Sequence, residues 1–312
     1  MLGVILNPNA LGVRRRPGLR ARLHQLVGTR GLVVETHSTE ELAHAARRFV
    51  DEGVDLVATC GGDGTNLLTV TELVRAYGAE RLPRLCILRG GTVNTIAENL
   101  RVRGRSEQIL KRLIARLDGG GELPTHGQDT IAVSRDGGPP LYGFLFAAAM
   151  GARFLEAYYG GPVPGPSWAI ALAARTIASS FVAGRFASWL FAPVAMQLSV
   201  DGAPVRGIEQ PRLLVASTVQ DVGIGMRVAW QAGREPGRFH LIASELTTTQ
   251  MALQLHKVRL GRPLSGEPHF DRLARAAEVR FASPDTFTLD GELWSASVVT
   301  LTAGPRLRIA DV

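Results

Sequence analysis

The sequence predicts an α/β domain with a parallel sheet, followed by a β-sandwich domain. Before residue 119, short apolar runs alternate with amphipathic helical stretches, which is typical of parallel strands covered by helices. Gly119-Gly120-Gly121 ends this alternation, and strand patterns dominate from Asp129 onward. We therefore predict an α/β domain over 1–124 and a β-sandwich over 125–302, with 303–312 available to return to the first domain.

In the first domain, apolar runs predict four strands and helical periodicity predicts five helices. The predicted strands are Leu2–Leu6, Gly31–Thr36, Val54–Thr59 and Leu85–Leu88. The predicted helices begin at Pro17, Ser38, Asn66, Thr95 and Ser106. Ser38 and Glu41 have the spacing of a capping box, and the helix that they open places Leu42, Ala45, Ala46 and Phe49 on one face.

In the second domain, an apolar run at Leu141–Met150 precedes an alternating strand at Met196–Val200. Asp201-Gly202 follows that strand and predicts a hairpin turn. Further strands are predicted at Leu213–Ser217, Arg238–Ala243, Glu278–Ala282 and Ala296–Thr302. Two helical stretches, Ser167–Leu190 and Thr247–Leu260, interrupt the strands.

Composition indicates a globular protein with a basic surface. The 312 residues are 46% hydrophobic and 20% charged, with a net charge of +7. Arginine carries almost all of this charge, since Lys111 and Lys257 are the only lysines. Such a balance suits nucleotide phosphates or anionic lipids, although a genome that favours arginine codons explains it equally well. No basic stripe interleaved with aromatic residues is present, so we expect no nucleic-acid partner.

The chain carries no predicted signal peptide or membrane-spanning segment. Met1–Leu6 is apolar but short, and it lacks a basic lead. Trp168–Val194 is the most apolar stretch, but Arg175 and Arg185 interrupt it, either as a solvated helix face or as contacts for anionic lipid headgroups. Cys60 and Cys86 each close an apolar strand, as buried thiols do. We expect a soluble cytoplasmic protein, with peripheral membrane attachment and a homodimer as open options.

The central motif is Cys60-Gly-Gly-Asp-Gly-Thr65, between a buried strand and a helix. A glycine turn at a helix N-terminus leaves backbone N–H groups free to bind an anion. Gly61, Gly62 and Gly64 have no Cβ to hold a phosphate away. Asp63 repels phosphate, so it needs a metal ion, a hydroxyl or water as neighbour. The alternative is an ordinary βα turn in which the aspartate caps the helix.

A second glycine turn, Gly90-Gly91-Thr92-Val93-Asn94, follows the next strand. The pair of turns resembles the catalytic core of the diacylglycerol kinase family, which includes sphingosine kinases and bacterial soluble lipid kinases. Asn7-Pro8-Asn9 is similar to the family's N-terminal turn, and Gly143–Gly151 to the strand that opens its second domain. Asp290-Gly291-Glu292 matches a motif near the family's C-terminus.

The resemblance implies an ATP-dependent, Mg²⁺-requiring kinase that phosphorylates a lipid hydroxyl at a membrane surface, with ATP between the two domains. It implies Glu292 as the general base, because a hydroxyl is a poor nucleophile until a nearby base accepts its proton. Asp290 would orient Glu292 or hold Mg²⁺, and Asp63 would act beside the phosphates. The nucleotide contacts that it implies are Asn7, Pro8, Asn9, Thr39, Gly61, Gly62, Asp63, Gly64, Thr65, Gly91, Thr92 and Asn94; the metal ligands are left open.

The sequence departs from the family pattern at three carboxylate positions, which are occupied by Leu68, Thr95 and Pro236. These departures put the accessory metal site in doubt. Two alternatives therefore stay open. One is a small-molecule kinase similar to NAD kinases or phosphofructokinases, which share a GGDG turn. The other is a catalytically silent protein that binds a nucleotide or a lipid.

Overall fold

The computed structural model describes residues 1–161, 165–181 and 184–312, and its chain divides into two compact units. Unit 1 comprises residues 1–128 and 305–312, and unit 2 comprises residues 129–304. The predicted class, a parallel-sheet α/β domain followed by a β-sandwich domain, is confirmed as an α/β unit with a mainly parallel sheet and a separate antiparallel β unit. Residues 125–128, assigned to the second domain from sequence, belong to unit 1 because they form a strand in its sheet.

Unit 1 is a six-stranded sheet with helices. Its strands are β1 Leu2–Leu6, β2 Gly31–Glu35, β3 Leu56–Cys60, β4 Arg84–Ile87, β5 Thr125–Gln128 and β16 Leu307–Ala310. Its helices are α1 Leu11–Arg14, α2 Leu19–Val27, α3 Thr39–Asp51, α4 Asp63–Tyr77, α5 Thr95–Asn99 and α6 Ser106–Asp118, with 3-10 turns at Gly28–Arg30 and Ala79–Arg81. The strand order is β2-β1-β3-β4-β16-β5, parallel except for the β16–β5 pair.

The core of unit 1 follows from its apolar strands. β1 and β3 are buried along their whole length. Helix α3 buries the predicted face of Leu42, Ala45, Ala46 and Phe49. Ser38 caps this helix by accepting from the Glu41 N–H, but the Glu41 carboxylate accepts from the N–H of His37 and not from that of Ser38. The first hydrogen bond of the predicted capping box is present, and the second is made to the N–H of the preceding residue, His37.

Unit 2 is an antiparallel β unit with helices. Its strands are β6 Ile131–Arg135, β7 Leu141–Gly143, β8 Leu145–Ala149, β9 Met196–Val200, β10 Ala203–Pro204, β11 Leu213–Ser217, β12 Phe239–Ser244, β13 His269–Ala274, β14 Ala276–Leu289 and β15 Glu292–Ala303. Its helices are α7 Met150–Tyr159, α8 Pro166–Phe181, α9 Arg185–Leu190, α10 Thr248–Leu253 and α11 Leu255–Arg259.

The strands of unit 2 form one hydrogen-bonded sheet that forks at β14. The first half of β14 pairs with β9 and its last residues pair with β8, while β15 runs beside both halves. A register shift between Arg280 and Asp285 marks the fork. Fully buried aromatic side chains fill the core at this point, and Phe146 on β8 lies 5.3 Å from Phe287 on β14 between ring centroids.

The sequence underestimated the regular structure of unit 2. The predicted strand Glu278–Ala282 is part of a fourteen-residue strand. Helix α7 directly follows β8, where only an apolar strand had been predicted. The predicted helix Ser167–Leu190 corresponds to α8 and α9, and its residues 182–183 lie outside the described residues. No helix in the described ranges is long and apolar enough to cross a bilayer.

Candidate functional site

The glycine turns of unit 1 lie at the carboxyl edge of its sheet. β1 continues into Asn7-Pro8-Asn9, β3 into Gly61–Thr65 and β4 into Gly90–Asn94. β1 has β2 on one side and β3 on the other. The strand order therefore reverses between β1 and β3, and ligands of open α/β sheets bind in the crevice at such a point.

Hydrogen bonds of Asn7 hold the first two turns together. Its backbone N–H donates to the carbonyl of Cys60 at 3.0 Å, and its Nδ2 donates to Thr65 Oγ1 at 2.9 Å. Asn7 Oδ1 also accepts from the N–H of Asn9 at 2.9 Å. Asn9 Nδ2 in turn donates to the carbonyl of His37 at 3.5 Å, two residues before Thr39 at the exposed start of α3. The Asn7 side chain thus positions the residues around it.

The first glycine turn is shorter than predicted, because α4 begins at Asp63 and not at Asn66. Gly62 is the N-cap residue, and no side chain among the described residues caps this helix. The first intrahelical bond from this turn is donated by Asn66 to the Gly62 carbonyl at 3.0 Å. The N–H groups of Asp63, Gly64 and Thr65 therefore precede the hydrogen-bond ladder of a fifteen-residue helix, where an anion is favoured.

The Asp63 carboxylate is engaged by the second turn. Its Oδ2 accepts from the N–H of Thr95 at 2.9 Å, and its Oδ1 accepts from the N–H of Ile96 at 3.1 Å. Asp63 thereby caps α5, a helix that follows a different strand. Burial raises the pKa of Asp63 to about 6, although both backbone hydrogen bonds favour the charged form. A carboxyl with this pKa remains mostly ionised at neutral pH.

The second glycine turn is closed and tightly packed. Asn94, with a left-handed φ of 56°, accepts from the Gly91 N–H at 2.9 Å and donates to the Gly91 carbonyl at 3.0 Å. A Cβ on Gly91 would lie 2.6 Å from the Cα of Gly62, and one on Gly90 would lie 2.7 Å from the N of Gly61. Thr92 lies half-buried in this turn. Gly90 and Gly91 therefore let the two turns pack against each other.

Gly62 is different, because a Cβ there would meet only the Cα of Gly91, at an ordinary 3.5 Å. Sequence reasoning treated the glycines alike and missed Gly12, where a Cβ would lie 2.4 Å from the carbonyl oxygen of Gly90. It also missed Arg16, whose Nε donates to the Gly12 carbonyl at 2.9 Å. The sequence shows the basic cluster Arg14–Arg16. It does not show that Arg16 binds the carbonyl of Gly12, or that Gly12 packs against Gly90, which lies 78 residues further along the chain.

The Asp290-Gly291-Glu292 motif of unit 2 forms the turn between β14 and β15. Asp290 is 2% exposed, and its carboxylate accepts from the N–H groups of Phe144 and Leu145 at 2.8–3.1 Å. This carboxylate therefore fixes the junction of β7 and β8. The expected role of Asp290, to orient Glu292 or to hold Mg²⁺, stays a prediction.

Unit 2 repeats this arrangement twice. Asp136-Gly137 and Asp201-Gly202 have left-handed φ at both residues, as Asp290-Gly291 does. Asp136 Oδ1 accepts from two N–H groups of β15, and Asp201 Oδ1 accepts from those of Arg275 and Ala276. Left-handed φ at both central residues is the geometry of hairpin turns with the twist of the flanking strands. Asp290 is the buried member of this set.

Glu292 differs from its neighbour. It is exposed, yet the protein around its carboxyl desolvates it enough to raise its pKa. The carbonyl of Gly291 accepts from the hydroxyl of Tyr159 at 2.8 Å, which secures the turn beside Glu292. A carboxyl with a raised pKa is a better proton acceptor than an ordinary surface glutamate. Sequence reasoning missed Tyr159, which no motif marks.

The described residues do not build a metal site on their own. No group of three or more His, Cys, Asp or Glu side chains in the described ranges could hold a metal ion. At the three departures from the family pattern, Leu68 is half-buried on α4, Thr95 begins α5 and Pro236 is exposed. The carboxylates of Asp63 and Asp290 are both bound to backbone N–H groups. These residues do not fit a protein-built Mg²⁺ site.

Residues 1–119 match the family model of the diacylglycerol kinase catalytic domain. The resemblance seen in the motifs is therefore confirmed for the part of the chain that carries the glycine turns. The match ends before unit 2, so it does not include Asp290 or Glu292. No curated protein matches the chain.

Solved structures share the fold at low identity. A protein of Bacillus anthracis str. Sterne, described provisionally as a diacylglycerol kinase, aligns with a TM-score of 0.69 at 14% identity, over 100% of this chain and 97% of that chain. A diacylglycerol kinase structure from the same source aligns with a TM-score of 0.60 at 14% identity, over 100% of this chain and 96% of that chain. At this identity the similarity shows the fold alone.

Proposed function

We propose that the chain is an ATP-dependent lipid kinase, which transfers the γ-phosphoryl group of ATP to a lipid hydroxyl. The observation that carries the proposal is the uncapped N-terminus of α4, where three backbone N–H groups follow Gly62 at the strand-order reversal. The family match over residues 1–119 supports kinase chemistry at this edge. The choice of a lipid as acceptor rests on the diacylglycerol kinase family alone.

In the proposed reaction, the backbone N–H groups of Asp63, Gly64 and Thr65 bind phosphate oxygens of ATP. No lysine lies in this turn, so backbone donors and the dipole of α4 would stabilise the negative charge. Space beside Gly62 lets the phosphate approach the main chain. Asp63 would act as a positioning residue, because its carboxylate ties α4 to the start of α5.

On the acceptor side, Glu292 would accept the proton of the lipid hydroxyl. As the O–H bond breaks, the oxygen forms a bond to the γ-phosphorus and the bond between that phosphorus and the bridging oxygen of ADP breaks. ADP leaves with this electron pair, and the proton stays on Glu292 until solvent removes it. Asp290 and Tyr159 would hold the Glu292 turn in place. Mg²⁺ would arrive with the nucleotide, since it usually keeps several waters and binds substrate phosphates and does not need an all-protein cage.

A second candidate is a nucleotide-binding protein without catalytic activity. The observation that favours it is that both aspartates of the two motifs have their carboxylates bound to backbone N–H groups. Among the residues that the structure describes, no hydrogen-bond partner engages the carboxylate of the third motif acid, Glu292. The two candidates agree on nucleotide binding and differ on phosphoryl transfer.

The test uses ATP labelled at the γ-phosphate with Mg²⁺ and a panel of acceptors: diacylglycerol, monoacylglycerol, sphingosine and ceramide in mixed micelles, and NAD and fructose 6-phosphate in solution. We expect label in a lipid product. Label in NAD or the sugar phosphate alone would replace the lipid acceptor with a small molecule. ATP binding by calorimetry without transfer to any acceptor would favour the silent candidate.

A further inference from the structure

The two helical insertions of unit 2 have an unusual charge pattern. From residue 157 to 200 and from 246 to 266 the sequence contains no aspartate or glutamate. The same segments contain five cationic side chains: Arg175, Arg185, Lys257, Arg259 and Arg262. They include helices α8 to α11. Helical surfaces exposed to water normally mix both signs of charge, so a uniformly cationic one indicates an anionic partner.

The exposed side of α8 is apolar, where a water-facing helix is normally polar. Ile170 is 59% exposed, and Ala171, Ala174 and Ala178 are exposed on the same side of the helix. Arg175 is the only charged residue of this helix. This side lies open although the opposite side is buried at Ala169 and Leu172.

The neighbouring helices extend the apolar surface. α8 packs against α9 and α10, and α10 packs against α11. Trp189 on α9 is 42% exposed, Leu253 on α10 is 63% exposed, and Leu260 just after α11 is 60% exposed. Met251 of α10 packs against the core residues of α9, which joins these helices into one layer. We refer to Ile170, Trp189, Leu253 and Leu260 with the surrounding cations as the α8–α11 face.

Cations lie beside these apolar groups. The guanidinium of Arg175 lies over the ring of Phe186, 4.2 Å from its centroid, which links α8 to α9. Arg185, Arg259 and Arg262 are exposed. An apolar surface with tryptophan and arginine at its borders is the composition of helices that lie in the headgroup region of a bilayer.

We propose that the α8–α11 face docks on the surface of an anionic phospholipid bilayer, with Ile170, Trp189, Leu253 and Leu260 in the headgroup region and the arginines on lipid phosphates. The occupant follows from charge: lipid phosphates complement two segments that contain five cations and no carboxylate. The proposal goes beyond phosphoryl transfer and does not depend on it. Vesicle binding can be measured without ATP, so its failure is distinct from a failure of the kinase assignment.

The first test is flotation of the full chain with vesicles of phosphatidylcholine alone or mixed with phosphatidylglycerol. We expect binding to the anionic vesicles that weakens as salt rises, because surface charges are screened within about 8 Å at physiological ionic strength. Replacing two exposed cations, in Arg185→Gln/Arg262→Gln, should weaken binding roughly 30-fold, at about fivefold per charge. The matched control is Arg22→Gln, an exposed arginine of α2 in unit 1.

The second test separates apolar insertion from simple charge attraction. Ile170→Ser should weaken binding about five- to tenfold, since it removes part of the transfer free energy of an isoleucine side chain. Val50→Ser, which changes an exposed apolar residue of α3 in unit 1, should leave binding unchanged. A polarity-sensitive label on Ile170→Cys should shift to the blue on anionic vesicles, and Cys60 and Cys86 are buried and should escape labelling.

Three results would overturn the proposal. The first is absence of binding to anionic vesicles. The second is binding that the unit 1 controls weaken as much as the unit 2 variants do, which would place the contact elsewhere. The third is a dimer in sedimentation equilibrium without vesicles that Ile170→Ser dissociates, which would show that the face binds a second copy of the chain.

Discussion

The glycine turns of unit 1 and the Asp-Gly-Glu turn of unit 2 use the same residue types for opposite purposes. In unit 1 the carboxylate of Asp63 is engaged by Thr95 and Ile96, and the backbone N–H groups at the start of α4 are left open. In unit 2 the N–H groups of Phe144 and Leu145 donate to Asp290, and no residue in the described ranges engages the carboxylate of Glu292. One region offers donors for an anion, and the other offers a base.

This difference separates residues that position a site from residues that contact a substrate. In both regions, the carboxylate of an aspartate next to glycine accepts hydrogen bonds from backbone N–H groups of another segment. The groups beside it, N–H groups in unit 1 and a carboxylate in unit 2, are the ones that remain for chemistry. We therefore expect substitutions in the two regions to affect different measurements.

The largest effect should follow from Glu292→Gln. This change keeps the shape of the side chain and removes the base, so kcat should fall about 10²–10⁴-fold while ATP affinity stays near normal. Gly62→Val should instead abolish ATP binding in calorimetry, since the valine side chain crowds the N–H groups at the start of α4. Phosphoryl transfer that survives Glu292→Gln within about threefold would exclude Glu292 as the base.

The pH profile sharpens the same comparison. A base acts only when it is deprotonated, and desolvation by the surrounding protein raises the pKa of Glu292. The acid limb of kcat should therefore lie at a higher pH than an ordinary glutamate would give, and activity should rise with pH through it. Glu292→Gln should flatten this limb, and an unchanged limb in the residual activity would assign it to another group.

The second-largest effect should come from Asp290→Ala, which removes the acceptor of the buried N–H groups of Phe144 and Leu145. Loss of charge-assisted hydrogen bonds to buried donors should lower the free energy of unfolding by about 3 kcal/mol. Asp201→Ala is the matched control, because Asp201 has the same turn geometry and also accepts two N–H groups, but it is exposed. Equal losses in urea unfolding would show that burial of the turn is unimportant.

The third prediction compares two glycines of unit 1. Gly90→Ala places a Cβ 2.7 Å from the backbone N of Gly61, so it should lower the free energy of unfolding by about 1–3 kcal/mol. Gly62→Ala meets only an ordinary contact at 3.5 Å, so it should leave stability nearly unchanged and weaken ATP binding instead. If Gly62→Ala destabilised the fold as strongly, Gly62 would be a packing residue and not part of an open anion site.

The sequence predicted the fold class and most of unit 1 because β1, β3 and β4 are buried apolar runs, each with a glycine or polar turn after it. Strand β5 was not predicted, because its residues are polar and partly exposed. Unit 2 was harder, since its long strand β14 alternates burial and contains a register shift, which breaks the periodicity of Glu278–Leu289. Helix α7 was missed because it follows β8 with no intervening turn residues.

The motifs indicated the candidate site. They did not indicate which aspartate is buried or which glycines pack against a neighbouring turn. Asp136, Asp201 and Asp290 are each followed by glycine, and nothing local distinguishes the buried one. The same holds for Gly62 and Gly91, whose difference depends on what lies opposite each of them in space. Burial and contacts between turns are set by distant parts of the chain, and a motif does not contain them.

The smallest predicted effect concerns Asp63 and pH. Its folded-state pKa of about 6 lies above the ordinary aspartate value of 3.8, so the folded chain holds the proton more tightly than the unfolded chain. The free energy of unfolding should therefore decrease as pH rises from about 4 to 6, and the loss should be complete above that window. Because Asp63 is only half-buried, we expect this contribution to be about 1–2 kcal/mol after screening by solvent.

Asp63→Asn removes this titration and keeps one oxygen to accept from Thr95 or Ile96. The difference in unfolding free energy between the variant and the unchanged protein should therefore shift in favour of the variant between pH 4 and 6, and stay constant above it. Urea unfolding at several pH values measures this difference, with Asp201→Asn as a control at an exposed turn. Parallel profiles would mean that Asp63 titrates in the folded protein as it does in the unfolded chain, and that its carboxylate is more open to solvent, and to a metal-bound nucleotide, than its two backbone hydrogen bonds indicate.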